Sequence, residues 1–260
     1  MERAVSAPLF VASLILGMLL LLELGHRLGL RRMARDPEGA GTGLGAIEGT
    51  AFALLGLLLA FTFSGAGSRF DSRRFLISQE ANAIGTAYLR LDLLPGDAQP
   101  ALRELFRKYL DARLGVYRKL IQDPEASNAE LARSLELQGV IWTRALAATS
   151  LPGGHPDAGK LLLPALNEMI DITTTRTMAS VTHPPKIIFA LLFGLALGCS
   201  LIAGYAMAGN RKRSWFHVLG FVATTAITVF VILDIEYPRH GLFRLDTHDQ
   251  VLAELRASMK

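Results

Sequence analysis

Four long apolar runs set the pattern of this chain: residues 8–24 and 46–64 towards one end, 187–208 and 216–233 towards the other, with a largely polar stretch between the two pairs. Each run approaches the roughly 20 apolar residues that a helix needs to cross a hydrocarbon core about 30 Å thick. None contains Lys or Arg, and ionisable side chains occur only near their ends, as Glu23, Glu48 and His217. The pattern predicts an integral membrane protein with four transmembrane helices in two hairpins. The first run has a single Arg3 before it, exceeds a signal-peptide core and lacks a small-residue cleavage site at its end, so it is expected to stay in the mature chain.

The polar stretch shows no strand-like alternation. Leu102, Leu105, Phe106, Tyr109, Leu110, Leu114 and Tyr117 recur mostly at steps of three and four, which predicts a helix with one apolar face. Asp123 and Pro124 are expected to end it, with Asn128 capping the next helix and Pro152, Gly153 and Gly154 closing that one. A third helix is expected over 157–182, kinked or restarted at Pro164 and ended by His183, Pro184 and Pro185. Phe70, Ile77, Ile84 and Leu91 are spaced by seven, so the second run is expected to continue as a long rod with a coiled-coil-like assembly seam, bent at Gly65 or Gly67 and stopped at Pro95 and Gly96. The predicted fold is all-α: a first transmembrane hairpin over 1–67, a helical extramembrane domain over 68–184, a second hairpin over 185–241 and a C-terminal tail over 242–260.

Charge adds an orientation. The loop joining the first two runs carries Arg27, Arg31, Arg32 and Arg35, and the loop joining the last two carries Arg211, Lys212 and Arg213. Short basic loops stay cytoplasmic, whereas long domains cross largely regardless of charge. Arg69, Arg73 and Arg74 pull the other way, and loop length decides for an outward, periplasmic central domain. The net charge of +4 is modest and the basic residues form no patch interleaved with aromatics, which argues against a nucleic-acid partner. Cys199 is the single cysteine and lies in an apolar run, so no disulfide framework or thiolate metal site is expected. The histidines lack metal-ligand spacing and no phosphate loop or nucleophile elbow occurs, so no enzyme activity, cofactor or metal is expected.

The second run carries most of the candidate chemistry. Gly49, Ala53, Gly56, Ala60 and Ser64 share one helical face, suited either to tight packing within the protomer or to a conduit in an oligomer. In the second case Leu55, Leu59 and Phe63 are the candidates for an apolar gate. Gly194 and Gly198 show the same small-residue pattern, for which packing is the expectation. Glu48 is either an interfacial anchor or an ion-pathway residue. Arg69, Asp71, Arg73 and Arg74 follow the second run, and Asp234, Glu236 and Arg239 close the fourth. An even number of crossings puts both groups on the same membrane face, where they can pair. A divalent cation held by Asp234 and Glu236 and an anion selected by the arginines are the alternatives, although two carboxylates are few ligands for a cation.

The stretch FTFSGAGSRFDSRRFLISQEANAIGTAYLRLDLLP over 61–95 resembles the signature of the bestrophin-like domain family of mostly bacterial membrane proteins. ALNEMID over 165–171 with Arg176 after it, HPP over 183–185 and LDIEYPRHGLF over 233–243 agree with it in order. The resemblance implies a relation to bestrophins, pentameric anion channels whose second membrane helix lines the pore and whose helical region is cytoplasmic. That orientation is opposite to the one the short basic loops predict. Within the signature Glu80 and Asn82, with Thr86 and Arg90, are expected to take part in an interface network. The expected function is an oligomeric, anion-leaning ion channel of the bacterial inner membrane, with the lipid bilayer, further copies of the chain and small ions as partners. The alternative is a non-conducting sensor or scaffold whose helical domain binds a ligand or partner.

Overall fold

The computed structural model describes residues 7–35, 44–120, 122–209, 215–238 and 246–259. Among them only helices occur: α1 (Ala7–Arg35), α2 (Leu44–Leu89), α3 (Gln99–Lys119), α4 (Pro124–Thr149), α5 (Ala158–Val181), α6 (Lys186–Ala206), α7 (Trp215–Glu236) and α8 (Asp246–Ser258), with short 3-10 turns at Arg90–Leu93 and Met207–Gly209. Four stretches of described residues are long and apolar enough to cross a membrane, and they lie within Ala7–Arg35, Gly45–Leu93, Ala158–Gly209 and Trp215–Glu236. The chain divides into two units, Met1–Ser68 with His183–Tyr237 and Arg69–Thr182 with Pro238–Lys260.

The first unit packs α1 against α6 and α7. Glycine makes the α1–α6 contact feasible. A Cβ added at Gly204 would lie 2.0 Å from the Leu22 carbonyl oxygen, and one at Gly25 would lie 2.0 Å from the Leu201 carbonyl oxygen. The two backbones therefore meet at a reciprocal pair of glycines, the arrangement by which helices associate where burial of apolar surface offers little drive. Gly194 and Gly198, which the sequence pattern suggests as packing glycines, have nothing within 4 Å of such a Cβ. Leu14, Met18, Leu22, Leu192, Cys199 and Val218 fill the core around this crossing. Leu9, Leu16, Leu20, Leu191, Phe216 and Ile227 point outward, as side chains in contact with lipid do.

The second unit is a helical bundle whose core draws on the last part of α2, on α3, α4 and α5, and on α8. The apolar stripe of α3 is buried as its period predicts, with Leu102, Phe106, Tyr109 and Leu110 almost wholly covered. One local expectation is corrected and another is narrowed. Helix α4 begins at Pro124, with the Asp123 carboxylate accepting from the Ala126 N–H at 2.9 Å, so Asp123 is the cap and Asn128 lies inside the helix. Proline lacks the N–H that the first helical position would leave unpaired anyway, so Asp-Pro starts this helix instead of merely ending the one before. Pro164 lies inside α5, which continues through it without a restart.

The seven-residue seam is corrected as well. Ile77, Ile84 and Leu91 are each 1 % exposed or less, so they pack within the protomer and cannot mediate assembly. A period of seven reports a face that packs against another helix; it does not say whether that helix belongs to the same chain. Residues 242–260, expected as a separate tail, supply α8 to the second unit, where Leu252 is fully buried.

Candidate functional site

The polar centre of the second unit is built on three helices. Glu80 projects from α2, Arg113 from α3 and Arg176 from α5, and the first two have no solvent exposure at all. Arg113 Nε donates to Glu80 Oε1 at 2.6 Å, and Arg176 Nη1 donates to Glu80 Oε2. One carboxylate is thus held by two guanidiniums, one on each oxygen. Arg176 Nη2 also donates to Asp249 Oδ1 of α8 at 2.5 Å, which brings the network to two acids and two bases. Arg113 Nη2 donates to the Tyr117 hydroxyl, and the Arg176 guanidinium lies over the Tyr117 ring at 3.7 Å. Arg113 Nη1 is buried without an acceptor.

A neutral layer adjoins these charges. The Tyr109 hydroxyl and Thr173 Oγ1 are 2.8 Å apart, and Gln138 Nε2 donates to both at 3.1 Å. Burial raises the pKa of Tyr109 above the ordinary phenol value, and burial together with the Glu80 charge raises that of Tyr117. Both phenols therefore stay protonated and available as donors at any physiological pH. Each of these side chains reaches the centre because it sits on the buried face of its helix. On α3, Tyr109, Arg113 and Tyr117 follow one another at steps of four, and on α5, Met169, Thr173 and Arg176 follow at steps of four and three.

The other expected site residues are distributed around this centre. In the second unit Asn82 is exposed, Arg90 Nη1 donates to the Leu161 carbonyl at 2.6 Å, and Arg73 donates to the carbonyls of Ala179 and Thr182 at 3.0 and 2.9 Å. Arg74 and Asp71 form an exposed pair at 3.6 Å, and Arg69 is half-buried. In the first unit the buried Glu236 lies 2.9 Å from His183 Nδ1, whose ring stacks on Tyr237 at 4.6 Å, and Asp234 is buried beside it in sequence. Arg239 lies outside the described residues. Among the described residues no group of three or more His, Cys, Asp or Glu side chains is placed to hold a metal ion.

Helix α2 divides the gate candidates. Leu55 is 3 % exposed and packs in the core of the first unit, Leu59 is partly buried against that core, and Phe63 is 46 % exposed. Glu48 is half-buried, whereas Gly49, Ala53, Gly56, Ala60 and Ser64 are all exposed. The small-residue stripe is therefore not consumed by packing inside the protomer.

A model of the Bestrophin-like domain matches residues 4–249. The chain belongs to the Bestrophin-like family. No curated protein matches it. A bacterial bestrophin homologue from Klebsiella pneumoniae, whose crystal structure is that of a tyrosine-to-alanine mutant, shares its fold with a TM-score of 0.66 at 14 % identity, over 94 % of this chain and 99 % of that one. The likeness is one of fold and extends over most of the chain. The buried network of the Bestrophin-like protein uses residues that its sequence marks only faintly. Glu80 and Arg176 fall in the resembling motifs, but Arg113, Gln138 and Asp249 do not. The available signal was Arg113 itself, a charge in the middle of an apolar helical face.

Proposed function

We propose that this Bestrophin-like protein is a homo-oligomeric, anion-leaning ion conduit of the bacterial inner membrane, with α2 lining the pore. The observation that carries the reading is the division of α2 into faces. Leu55, Thr62 and Ala66 turn into the protomer, while Gly49, Ala53, Gly56, Ala60 and Ser64 remain exposed. A membrane helix anchored on one side and lined by small residues on another is suited to approach a symmetry mate or to border a water-filled path. Membership of the family supports the same reading. With Leu55 engaged in the protomer core, the apolar constriction falls to Phe63 with Leu59 beside it, and Glu48 sits near the start of the same helix. Arg69 and Arg74 follow the membrane run and favour anions at that mouth.

The reading is tested by flux from liposomes under separate chloride and potassium gradients, with Phe63→Ala beside the wild type. Chloride flux that rises in the variant supports a constriction at Phe63. Absence of flux under both gradients from intact oligomers favours the sensor or scaffold, a reading that draws its support from the buried network joining α2, α3, α5 and α8.

We place the second unit in the periplasm, on the strength of the short basic loops. Ala129 is exposed on α4 and serves as the reporter position. Ala129→Cys in a Cys199→Ala background is expected to react with an impermeant thiol reagent in spheroplasts. Labelling only after lysis would place the unit in the cytoplasm.

A further inference from the structure

Helix α8 is held to the second unit by three kinds of contact. Leu252 is fully buried, and Arg256 Nε and Nη2 donate to Asp111 Oδ1 and Oδ2 at 2.8 and 3.0 Å on a half-exposed surface. The third contact, Asp249 on Arg176, enters the buried network. Without Asp249 that network would set one carboxylate against two guanidiniums. Its donors already exceed its acceptors, because Arg113 Nη1 is fully buried and has none. A guanidinium presents its N–H groups in a planar fork that matches carboxylate oxygens, and a buried donor without an acceptor is costly. Asp249, at 14 % exposure, is the member of the network closest to solvent. What lies beneath α8 is therefore a cationic, donor-rich seat, and α8 itself supplies the carboxylate that fills it.

We propose that Arg176, backed by Arg113, forms a binding site for small carboxylates, that Asp249 is its built-in occupant, and that a free carboxylate displaces Asp249 and releases α8. The chemistry requires only an exchange of one carboxylate for another on the Arg176 fork, with the network charge unchanged. A released α8 of 13 residues is too short to stay helical in water, so its amides lose protection. The site does not depend on conduction: it stands on the geometry of the second unit alone.

The test is hydrogen exchange on the full chain in detergent, comparing sodium acetate with sodium chloride at equal ionic strength. A ligand that binds only the open state raises the open population about tenfold at ten times its dissociation constant. Amides of α8 are therefore expected to exchange up to about tenfold faster in acetate, with α3 amides unchanged. Arg176→Gln, which removes the seat, should abolish the difference between the salts. In Asp249→Asn, where acetate has no competitor, acetate should raise the melting temperature above that in chloride. Equal α8 exchange in the two salts for the wild-type protein overturns the proposal, whatever the variants do.

Discussion

Glu80→Gln is expected to cost about 3–5 kcal/mol of stability, because it removes one member of a buried charge network and leaves the others in place. The substitution keeps the side chain's shape, so packing is unchanged and the loss is electrostatic. Arg113, with no exposure, would keep a full charge and lose the carboxylate that receives its Nε–H. Arg176 would be left with Asp249 alone among the carboxylates of the network. The cost should appear in chemical or thermal unfolding of the purified protein, followed by helical content. Adding Arg113→Gln to Glu80→Gln should lose far less than the sum of the two single losses, since the second substitution removes a charge that the first has stranded. Additive losses would mean that the two side chains contribute separately.

Gly204→Ala is the second large effect expected, although it adds one methyl group. That carbon would lie 2.0 Å from the Leu22 carbonyl oxygen and 2.8 Å from its carbon, and both belong to backbone that cannot rotate away. The α1–α6 pair must separate or slide to admit it, which gives up the contact on which the first unit is centred. Overpacking of this kind costs about 1–3 kcal/mol even where side chains absorb it, and here no side chain can. Gly198→Ala serves as the control, with nothing within 4 Å of the new atom. Membrane yield and monodispersity on size exclusion should collapse for Gly204→Ala and stay at wild-type levels for Gly198→Ala. Similar behaviour of the two variants would contradict the close approach.

The elements of this chain were legible because each rests on a local pattern. The four apolar runs marked the membrane-length helices, and the three-and-four steps of Leu102, Phe106, Tyr109 and Leu110 marked α3. What the pattern could not carry was the identity of the packing partner. Ile77, Ile84 and Leu91 recur at seven, but their partners are helices of the same chain, and no period distinguishes an internal neighbour from a symmetry mate. The glycines show the same limit. Gly194 and Gly198 form a four-residue pattern with open space around both, whereas Gly25 and Gly29, spaced the same way on α1, meet backbone within 3 Å, so the spacing alone does not say which pair is used.

The network was half legible for a related reason. Glu80 was identifiable as a charge inside a regular helix, but its partners come from positions 113, 176 and 249, and only the fold brings them together. Arg113 was the residue most open to discovery. Tyr109 and Tyr117 flank it at four-residue steps, so any helix that buries the tyrosines must bury the arginine too, and a buried guanidinium requires a carboxylate. Leu55 shows the converse. Its spacing from Leu59 and Phe63 placed the three on neighbouring positions of one helical surface, yet exposure rises from Leu55 to Phe63 as that surface turns out of the protomer core.

The central claim is that the oligomer conducts ions and prefers anions. It is tested most directly by the reversal potential of currents through the purified protein in a planar bilayer bathed by unequal potassium chloride solutions. Currents are expected to reverse close to the chloride equilibrium potential and to grow in Phe63→Ala. Reversal at the potassium potential, or an electrically silent bilayer containing intact oligomers, would contradict it.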